Sequence, residues 1–378
     1  MSANRILILG GTGAMGLYLV PELLALGNAV IVTSRSERKS DGEALRHVCC
    51  NARDNNALRE VIDANKPDAI VDFMLYSTAE FAARRDFLLG AVGRYLFLSS
   101  YRVFADSGMV PLTERSPRLL DVCNDKEYLA TDEYALAKAR QENLLRDSGR
   151  WNWTILRPCI TYSSNRFQFG TLEANTVCYR ALQGVPVIMA QDILEKQTTM
   201  TWGGDAARMI ARLALNSKAA GEDFNTVTSE HRTWREIAGY YGEAIGLKVV
   251  ETGLKEYEKV VGSPYQIKYD RIFDRVLDNA KALSATGLES SSFTPLREGL
   301  VRELGEFKKA PFNQYSNLEL NARMDAVIGS RISLAGMDFK TRCRYFSAKH
   351  PFFGKVIRAA EKIKRVCRRC SVCTEKKV

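Results

Sequence analysis

The sequence contains no run of about 18 apolar residues, so no membrane-spanning helix is predicted. Its first residues also lack the features of a secretory signal peptide. The apolar stretch Ile6–Leu9 is too short for one, ends in glycines and is followed by an ordinary amphipathic segment. Without an export signal, the nine cysteines are expected to be reduced thiols. We therefore expect a cytoplasmic protein.

Most of the chain also lacks net charge. The sequence as a whole carries +10, but residues 340–378 hold 13 lysines and arginines against two acidic residues. Residues 1–339 hold 41 basic and 42 acidic residues. The basic character therefore belongs to the C-terminal segment and gives no information about an active site.

The chain has no internal repeat, and short apolar runs alternate with helix-length segments through its first half. The predicted strands are Arg5–Leu9, Ala29–Thr33, Arg46–Cys50, Ala69–Phe73, Arg94–Ser99, Trp153–Arg157 and Asp223–Val227. The predicted helices are Ala14–Leu26, Asn55–Asn65, Glu80–Gly90, Thr131–Ser148, Gly203–Leu215 and one opened by the capping box Thr233–Glu236. This alternation predicts an α/β fold with a doubly wound parallel sheet.

A glycine-rich segment follows the first predicted strand and opens the first helix. It reads Gly10-Gly11-Thr12-Gly13-Ala14-Met15-Gly16 and fits the G-x-G-x-x-G pattern. Glycines let the backbone approach a pyrophosphate, and the helix N-terminus supplies amide donors and partial positive charge. The segment predicts dinucleotide binding, against the alternative of a simple glycine-rich turn.

The residues after the second strand bear on the choice of dinucleotide. NAD-specific sites place an acid there for the ribose hydroxyl, but this sequence has Arg35 and no acid until Glu37. Arg35 can pair with a 2′-phosphate, which favours NADP, with NAD left open. The alternatives are that Arg35 stacks on adenine or faces solvent.

Tyr134 and Lys138 are four residues apart in a predicted helix, so both side chains lie on one face. A free tyrosine is a poor base at neutral pH, and a nearby ammonium favours the phenolate. Ser100 follows the fifth strand, at the edge of the sheet where ligands of α/β proteins bind. Its hydroxyl can bind both a reacting oxygen and the tyrosine, although a serine also commonly caps a strand end.

These motifs together resemble the extended short-chain dehydrogenase/reductase superfamily, in its branch of NAD-dependent nucleotide-sugar epimerases and dehydratases. The resemblance extends from Arg5 to about Phe307. Further matching segments are Leu156–Pro158, Gly184–Val187, Thr201–Ala207, Asn279–Lys281 and Phe293–Leu300. The resemblance implies a Rossmann domain over residues 1–165, a smaller substrate lobe over 166–306 and a basic helical extension over 307–378. Residues 203–227 are expected to return to the Rossmann domain.

The resemblance also implies roles for single residues. Tyr134 becomes the acid/base, Lys138 the ribose anchor and modulator of the phenol, and Ser100 the hydroxyl partner. A hydride would pass between the nicotinamide and a sugar carbon. The other implied cofactor contacts are Asn51, Ala52, Phe73, Met74 and Pro158. Asn51 stands where the family usually has an aspartate beside the adenine.

Two departures from the family bear on the reaction. Dehydratases carry an Asp-Glu pair directly after the serine or threonine, where this chain has Tyr101 and Arg102. Neither side chain carries a carboxylic acid that could serve as the acid or base for eliminating water, so dehydration is disfavoured. Family epimerases usually hold NAD tightly with an acid where Arg35 stands, so an epimerase and an NADPH-using 4-keto-sugar reductase both remain open. A role in surface-polysaccharide synthesis would suit either.

Further expectations concern partners. Arg166 and Arg232 are candidate diphosphate contacts of a nucleotide-activated sugar, or else solvent-facing arginines. A homodimer is expected from the resemblance. The rival class is a non-catalytic dinucleotide sensor or an RNA-associated protein on the same fold, which would not need Tyr134, Lys138 and Ser100 together.

The basic C-terminal segment predicts an amphipathic helix. Its apolar stripe comprises Phe353, Val356, Ala360, Ile363, Cys367 and Cys370, surrounded by lysines and arginines. Such a helix can lie on the anionic inner face of the membrane, or pack on the body or on a second subunit. Cys367, Cys370 and Cys373 lack a clear fourth ligand, so no metal site is expected. Nucleic-acid binding is not expected either.

Overall fold

A computed structural model of the chain describes residues 3–309 and 317–350. Its main feature is a seven-stranded sheet in the order β12-β6-β5-β4-β1-β2-β3, in which every neighbouring pair is parallel. The strands are β1 (Arg5–Leu9), β2 (Ala29–Ser34), β3 (Leu45–Cys49), β4 (Ala69–Asp72), β5 (Arg94–Leu98), β6 (Trp153–Leu156) and β12 (Glu222–Phe224). All seven predicted strands are present, and the predicted fold class is confirmed.

Helices cover both faces of this sheet. They are α1 (Gly16–Ala25), α2 (Asn55–Asn65), α3 (Thr78–Ala91), α6 (Tyr134–Arg146), α9 (Gly203–Leu213) and α13 (Ala280–Thr286). Ile6 and Ile8 of β1 pack with α1 and α9, whereas Leu7 and Leu9 pack with α2, α3 and α6. Because successive side chains of a strand point to opposite faces, the apolar residues Ile6–Leu9 of β1 need cover on both sides.

The order of the strands creates the crevice in which a ligand can bind. The chain runs from β1 outward to β2 and β3, and then returns to the other side of β1 to form β4. The loops after β1 and β4 therefore diverge at the carboxyl edge of the sheet. Open α/β sheets bind their ligands at such a switch point.

A second group of elements packs beside the carboxyl edge. Its strands are β7 (Ile160–Tyr162), β8 (Gln168–Phe169), β9 (Leu172–Glu173), β10 (Val187–Ala190), β11 (Gln197–Trp202), β13 (His231–Thr233) and β14 (Val249–Thr252). Its helices are α7 (Ala174–Leu182), α8 (Gln191–Leu194), α10 (Trp234–Ile245), α11 (Leu254–Val261) and α12 (Pro264–Gln266). A π-helix, Ile267–Arg271, follows, and two short helices, α4 (Leu119–Val122) and α5 (Lys126–Leu129), precede α6. The core around Trp234 and Tyr241 joins these strands and helices.

The predicted capping box at the start of α10 is confirmed. The Thr233 side chain accepts from the Glu236 backbone, and the Glu236 carboxylate accepts from the Thr233 backbone at 2.8 Å. The helix ends at Gly246, whose φ of +73° suits glycine. Local sequence signals therefore define both ends of this helix.

The division into domains stays a prediction, and one of its boundaries falls within a helix. Helix α14 (Leu296–Lys309) continues past residue 306 because its buried face extends to Phe307. Beyond it, α15 (Leu318–Ile328) and α16 (Phe339–Lys349) pack together, and Asp325 of α15 pairs with buried Arg180 at 2.7 Å. The predicted apolar stripe from Phe353 to Cys370, and Cys373, lie outside the described residues. Within residues 3–309 and 317–350, no helix is both long and apolar enough to cross a bilayer.

Candidate functional site

A cleft of about 610 Å³ lies at the carboxyl edge of the sheet, between the sheet and the second group of elements. Twelve residues singled out in the sequence line it: Gly10, Gly13, Ala14, Met15, Gly16, Phe73, Ser100, Tyr101, Arg102, Tyr134, Pro158 and Arg166. Motifs that are far apart in the sequence therefore meet in one cavity. Its volume is in the usual range for a cofactor or small-molecule site.

The local structure of the loop after β1 requires glycine at three of its four glycine positions. A Cβ on Gly16 would lie 2.1 Å from the Gly11 carbonyl oxygen, and one on Gly11 would lie 2.8 Å from Ile8. Gly10 has a φ of +73°. By contrast, a Cβ on Gly13 would meet only the Gly10 carbonyl, at 3.5 Å, and Gly13 lines the cleft.

The space at Gly13 is thus left open toward the cleft rather than filled by the protein. Helix α1 begins three residues later with no acidic residue in its first turn. An open backbone beside a helix N-terminus is what a pyrophosphate requires. The residues present therefore fit a dinucleotide.

Tyr134 is the first residue of α6, and Lys138 lies one turn further on. The helix was predicted to start at Thr131, but the Glu133 side chain caps it by accepting from the Ala135 backbone at 2.8 Å. The half-buried Tyr134 lines the cleft. Lys138 is only 1% exposed and does not line it; its ammonium donates to the Leu98 carbonyl at 2.7 Å.

The burial of Lys138 changes its chemistry. Burial lowers the pKa of its ammonium to about 8, although Asp72 and Glu142 act in the opposite direction. The amine lies 4.5 Å from the centre of the Phe97 ring. A buried cation with a lowered pKa beside a cleft is typical of functional sites.

Ser100 is the second residue after β5 and is buried at the edge of the cleft. Its hydroxyl oxygen accepts from the Arg102 backbone at 3.2 Å, and its own proton is left for another acceptor. The neighbouring Ser99 differs, because its hydroxyl donates to Glu142 at 2.6 Å. Glu142 also pairs with Arg157 at 2.7 Å. Both serines line the cleft, but the Ser99 hydroxyl is held by Glu142, so Ser100 is the serine whose hydroxyl proton is left for a ligand.

Two further groups near the cleft were not predicted from the sequence. Fully buried Asp72, at the end of β4, accepts from the hydroxyls of Tyr95 at 2.8 Å and Tyr76 at 3.0 Å, and from the Met74 backbone at 2.9 Å. Burial raises the pKa of the Asp72 carboxyl. These bonds fix the turn through Phe73 and Met74, which passes beside Gly10.

The second group surrounds Asp270 in the π-helix. The Tyr101 hydroxyl donates to Asp270 at 3.0 Å and accepts from Arg271 at 2.7 Å. Arg271 and Arg275 both pair with Asp270, and Arg271 lines the cleft although it is 3% exposed. Short π-helical segments are frequent at functional sites. Tyr101, which was expected only as a candidate substrate contact, is thus also part of a buried charge cluster.

The remaining predicted contacts lie at or beyond the margins of the cleft. Arg35 is exposed and follows the last residue of β2. Asn51 is exposed, and its side-chain oxygen accepts from the Arg53 backbone, whereas Ala52 is buried. Gly11, Thr12 and Met74 belong to the turns beside the cleft but do not line it.

Of the two candidate diphosphate contacts, the structure brings only one to the cleft. Arg166 is exposed and lines it. Arg232 does not; it pairs with Glu230 at 2.8 Å and donates to the His231 carbonyl. The interpretation of Arg232 as a solvent-facing arginine is therefore favoured, because β13 directs it to acidic neighbours.

Comparison with known proteins identifies the family. Residues 6–226 match the sequence model of the NAD dependent epimerase/dehydratase family. The 2'-dehydrokanamycin reductase of Streptomyces kanamyceticus is 26% identical over 250 residues, which cover 64% of this chain and 67% of that protein. A UDP-glucose 4-epimerase of Neisseria meningitidis serogroup B is 26% identical over 185 residues, 41% of this chain and 52% of that protein. The chain thus spans about half the length of that epimerase.

Solved structures agree in fold. The Bordetella bronchiseptica enzyme WbmH in complex with NAD+ has a TM-score of 0.61 at 18% identity, covering 81% of this chain and 99% of that one. The UDP-glucose 4-epimerase of Thermotoga maritima, with UDP-glucose, has a TM-score of 0.59 at 19% identity over the same shares. The chain therefore belongs to the NAD dependent epimerase/dehydratase family, and it is a nicotinamide-dinucleotide-dependent enzyme of the extended short-chain dehydrogenase/reductase type.

Proposed function

We propose that this enzyme transfers hydride between a nicotinamide dinucleotide and a carbinol or keto carbon of a nucleotide-activated sugar, as a 4-keto-sugar reductase or an epimerase. The observation that carries the proposal is that Tyr134, Ser100 and the open backbone at Gly13 line the same cleft. When bound, the dinucleotide supplies the hydride donor or acceptor. The names of the relatives, a 2'-dehydrokanamycin reductase and a UDP-glucose 4-epimerase, support the same reaction class.

The residues of the chain then have distinct roles. The Ser100 hydroxyl donates to the sugar oxygen, and the Tyr134 phenol moves a proton to or from that oxygen as the carbon changes oxidation state. Lys138, one helical turn below, favours the phenolate when protonated. Because its ammonium is buried on the Leu98 carbonyl, it would bind the ribose only after leaving that carbonyl. The dinucleotide would be held by the Gly10–Gly16 loop, Phe73, Met74, Asn51, Ala52 and Pro158.

The two positions where family dehydratases carry an acid pair do not support dehydration in this chain. The two residues after Ser100 are Tyr101 and Arg102, and both are engaged by carboxylates: Tyr101 by Asp270, and Arg102 by Glu133 at 2.7 Å. Neither presents a carboxylic acid that could protonate a leaving hydroxyl. These two positions therefore favour oxidation or reduction of the sugar carbon without loss of water.

The cofactor prediction concerns Arg35. We expect NADPH to bind more tightly than NADH, because exposed Arg35 can pair with the 2′-phosphate. Substitution Arg35→Ala should weaken NADPH binding about tenfold, the equivalent of one charge-assisted contact, and leave NADH unchanged. Fluorescence titration with both nucleotides measures this, with Arg38→Ala as a neighbouring control.

A preference for NADH that Arg35→Ala does not alter would contradict that role. The same preparation tests the reaction class, because denatured protein should release no tightly held NAD(H) if it is a reductase with an exchangeable cofactor. Stoichiometric NAD(H) in the released fraction would instead identify an epimerase.

We also propose that residues 340–378 place the enzyme at the anionic inner face of the membrane during surface-polysaccharide synthesis, as a homodimer. The support is the net charge of +11 on this segment and its apolar stripe. Removal of the residues after His350 should abolish sedimentation with phosphatidylserine vesicles. The remaining protein should keep its fold there, because the hydroxyl of buried Tyr345 still donates to Asp325 at 2.6 Å. Full-length protein that does not sediment with these vesicles would contradict the proposal.

A further inference from the structure

Glu173 places a carboxylate in the cleft that the proposed reaction does not use. It is the last residue of β9, is exposed and lines the cleft. One of its carboxylate oxygens accepts from the side-chain amide of buried Gln168 at 2.9 Å. Within the part of the chain that the structure describes, neither a lysine nor an arginine pairs with it. Its second oxygen is therefore left for a ligand.

The charges of the other residues that line the cleft are mostly compensated. Arg102 pairs with Glu133 at 2.7 Å, and Arg271 pairs with Asp270. The third arginine of the lining, Arg166, is exposed. Among the described residues that line the cleft, the carboxylate on β9 is the only acidic group. A ligand in the cleft therefore meets one negative charge that has no ion-pair partner.

The hairpin that carries Glu173 is connected to the proposed catalytic serine. Arg271 donates to the carbonyl of Gly170, in the turn between β8 and β9, at 2.8 Å. The same side chain donates to the Tyr101 hydroxyl at 2.7 Å, and Tyr101 directly follows Ser100. The carboxylate therefore belongs to the wall of the cleft that is linked to the serine, and not to the loop that fits the dinucleotide.

The surroundings of this carboxylate favour a cationic ligand. Burial raises the pKa of Glu173, although Arg166 and Arg271 act in the opposite direction. A carboxylate that is partly removed from water and lacks an ion-pair partner is stabilised when an opposite charge binds to it. A neutral hydroxyl supplies a hydrogen bond but not that charge. Phosphate groups would be repelled, so this position suits the sugar and not the diphosphate.

We propose that Glu173 is a specificity-determining residue that binds an ammonium group of the sugar, so that the substrate is an amino sugar. Its free oxygen accepts from the ammonium, while the amide of Gln168 holds the other oxygen in place. The inference rests on the proposed function, because it names the class of sugar that the same cleft takes.

The test compares the affinities of matched sugars for enzyme saturated with NADPH, which cannot oxidise them. UDP-hexoses with a free amine at carbon 2, 3 or 4 are titrated by calorimetry beside UDP-glucose, slightly below neutral pH so that the amines are protonated. We expect at least one amino sugar to bind about tenfold more tightly than UDP-glucose, the equivalent of one desolvated ion pair. Substitution Glu173→Gln should reduce this preference to less than about twofold, because the amide keeps an acceptor and loses the charge.

Two further variants serve as controls. Glu256→Gln removes an exposed acid of α11 that does not line the cleft, and it should leave the preference unchanged. Glu173 precedes α7 without a side-chain cap bond, so its substitution should not alter that helix. If Glu173→Gln does not fold, Glu173→Ala carries the same expectation.

Binding of every amino sugar that is no tighter than binding of UDP-glucose would overturn the inference. A preference that Glu173→Gln retains would overturn it as well. Failure of the proposed function is a different result, since it would appear as wild-type turnover in Tyr134→Phe whatever the calorimetry shows.

Discussion

Substitution Tyr134→Phe is expected to lower turnover by about 10²- to 10⁴-fold and to leave dinucleotide affinity unchanged. The variant removes one phenolic oxygen from a half-buried ring that lines the cleft. That oxygen is the only group on Tyr134 able to exchange a proton with the sugar. The open backbone at Gly13 and the start of α1, which fit the pyrophosphate, are untouched.

The measurement is nicotinamide absorbance during turnover of UDP-hexoses, with NADPH and NADH affinities determined by fluorescence. Tyr240→Phe is a matched control, since this tyrosine of α10 does not line the cleft. Unchanged turnover in Tyr134→Phe would remove the catalytic assignment. It would favour the rival class, a non-catalytic dinucleotide sensor or an RNA-associated protein, which has no use for the phenol.

Substitution Lys138→Met should separate activity from stability. Activity should fall by about 10²-fold or more, because the phenolate of Tyr134 loses its cation. The free energy of unfolding at neutral pH should be unchanged or higher. Burial of the Lys138 ammonium lowers its pKa from 10.5 to about 8, which corresponds to a cost of about 3 kcal/mol that the variant avoids. Loss of the donor to the Leu98 carbonyl offsets about 1–2 kcal/mol of that gain.

The pH dependence of this stability difference has a definite sign. Between pH 8 and 10.5 the unfolded chain keeps the Lys138 proton that the folded protein has released, so wild-type stability rises through this window. The advantage of Lys138→Met should therefore be largest below pH 8 and should shrink toward pH 10.5. Urea unfolding at several pH values measures it, and a loss of more than about 2 kcal/mol at neutral pH would make Lys138 a structural residue.

Much of the fold could be predicted from the sequence because its determinants are local. Strands such as Arg5–Leu9 are short continuous apolar runs, and a strand buried on both faces needs no alternation of polar and apolar residues. The capping box at Thr233 and the glycine loop after β1 are likewise defined within a few residues. The site residues in the loop and in α6 followed from these elements and from the family resemblance.

The contacts that were missed depend on long-range packing. Tyr101 and Asp270 are 169 residues apart, and no local pattern indicates that a π-helix brings Arg271 to the cleft. Asp72 did carry a signal that could have been used, since it is an acid that ends an apolar strand and must find donors when buried. Arg232 was predicted as either a diphosphate contact or a solvent-facing arginine, and its position beside Glu230 on β13 favours the second interpretation.

The start of one helix and the predicted boundary at residue 306 likewise depend on side-chain contacts. Helix α6 starts at Tyr134 rather than Thr131 because the Glu133 side chain caps it, which the usual capping residues did not suggest. Helix α14 crosses the predicted domain boundary at residue 306, and Phe307 beyond that boundary is buried against Phe167. In both cases a side-chain contact decides where the element lies.

The most direct test of the account is a crystal structure of the enzyme with bound NADPH. We expect the pyrophosphate to lie on the backbone at Gly13 and the nicotinamide ring to lie within contact of the Tyr134 phenol, with the ribose near Lys138. A dinucleotide bound elsewhere, or a nicotinamide ring far from that phenol, would contradict it.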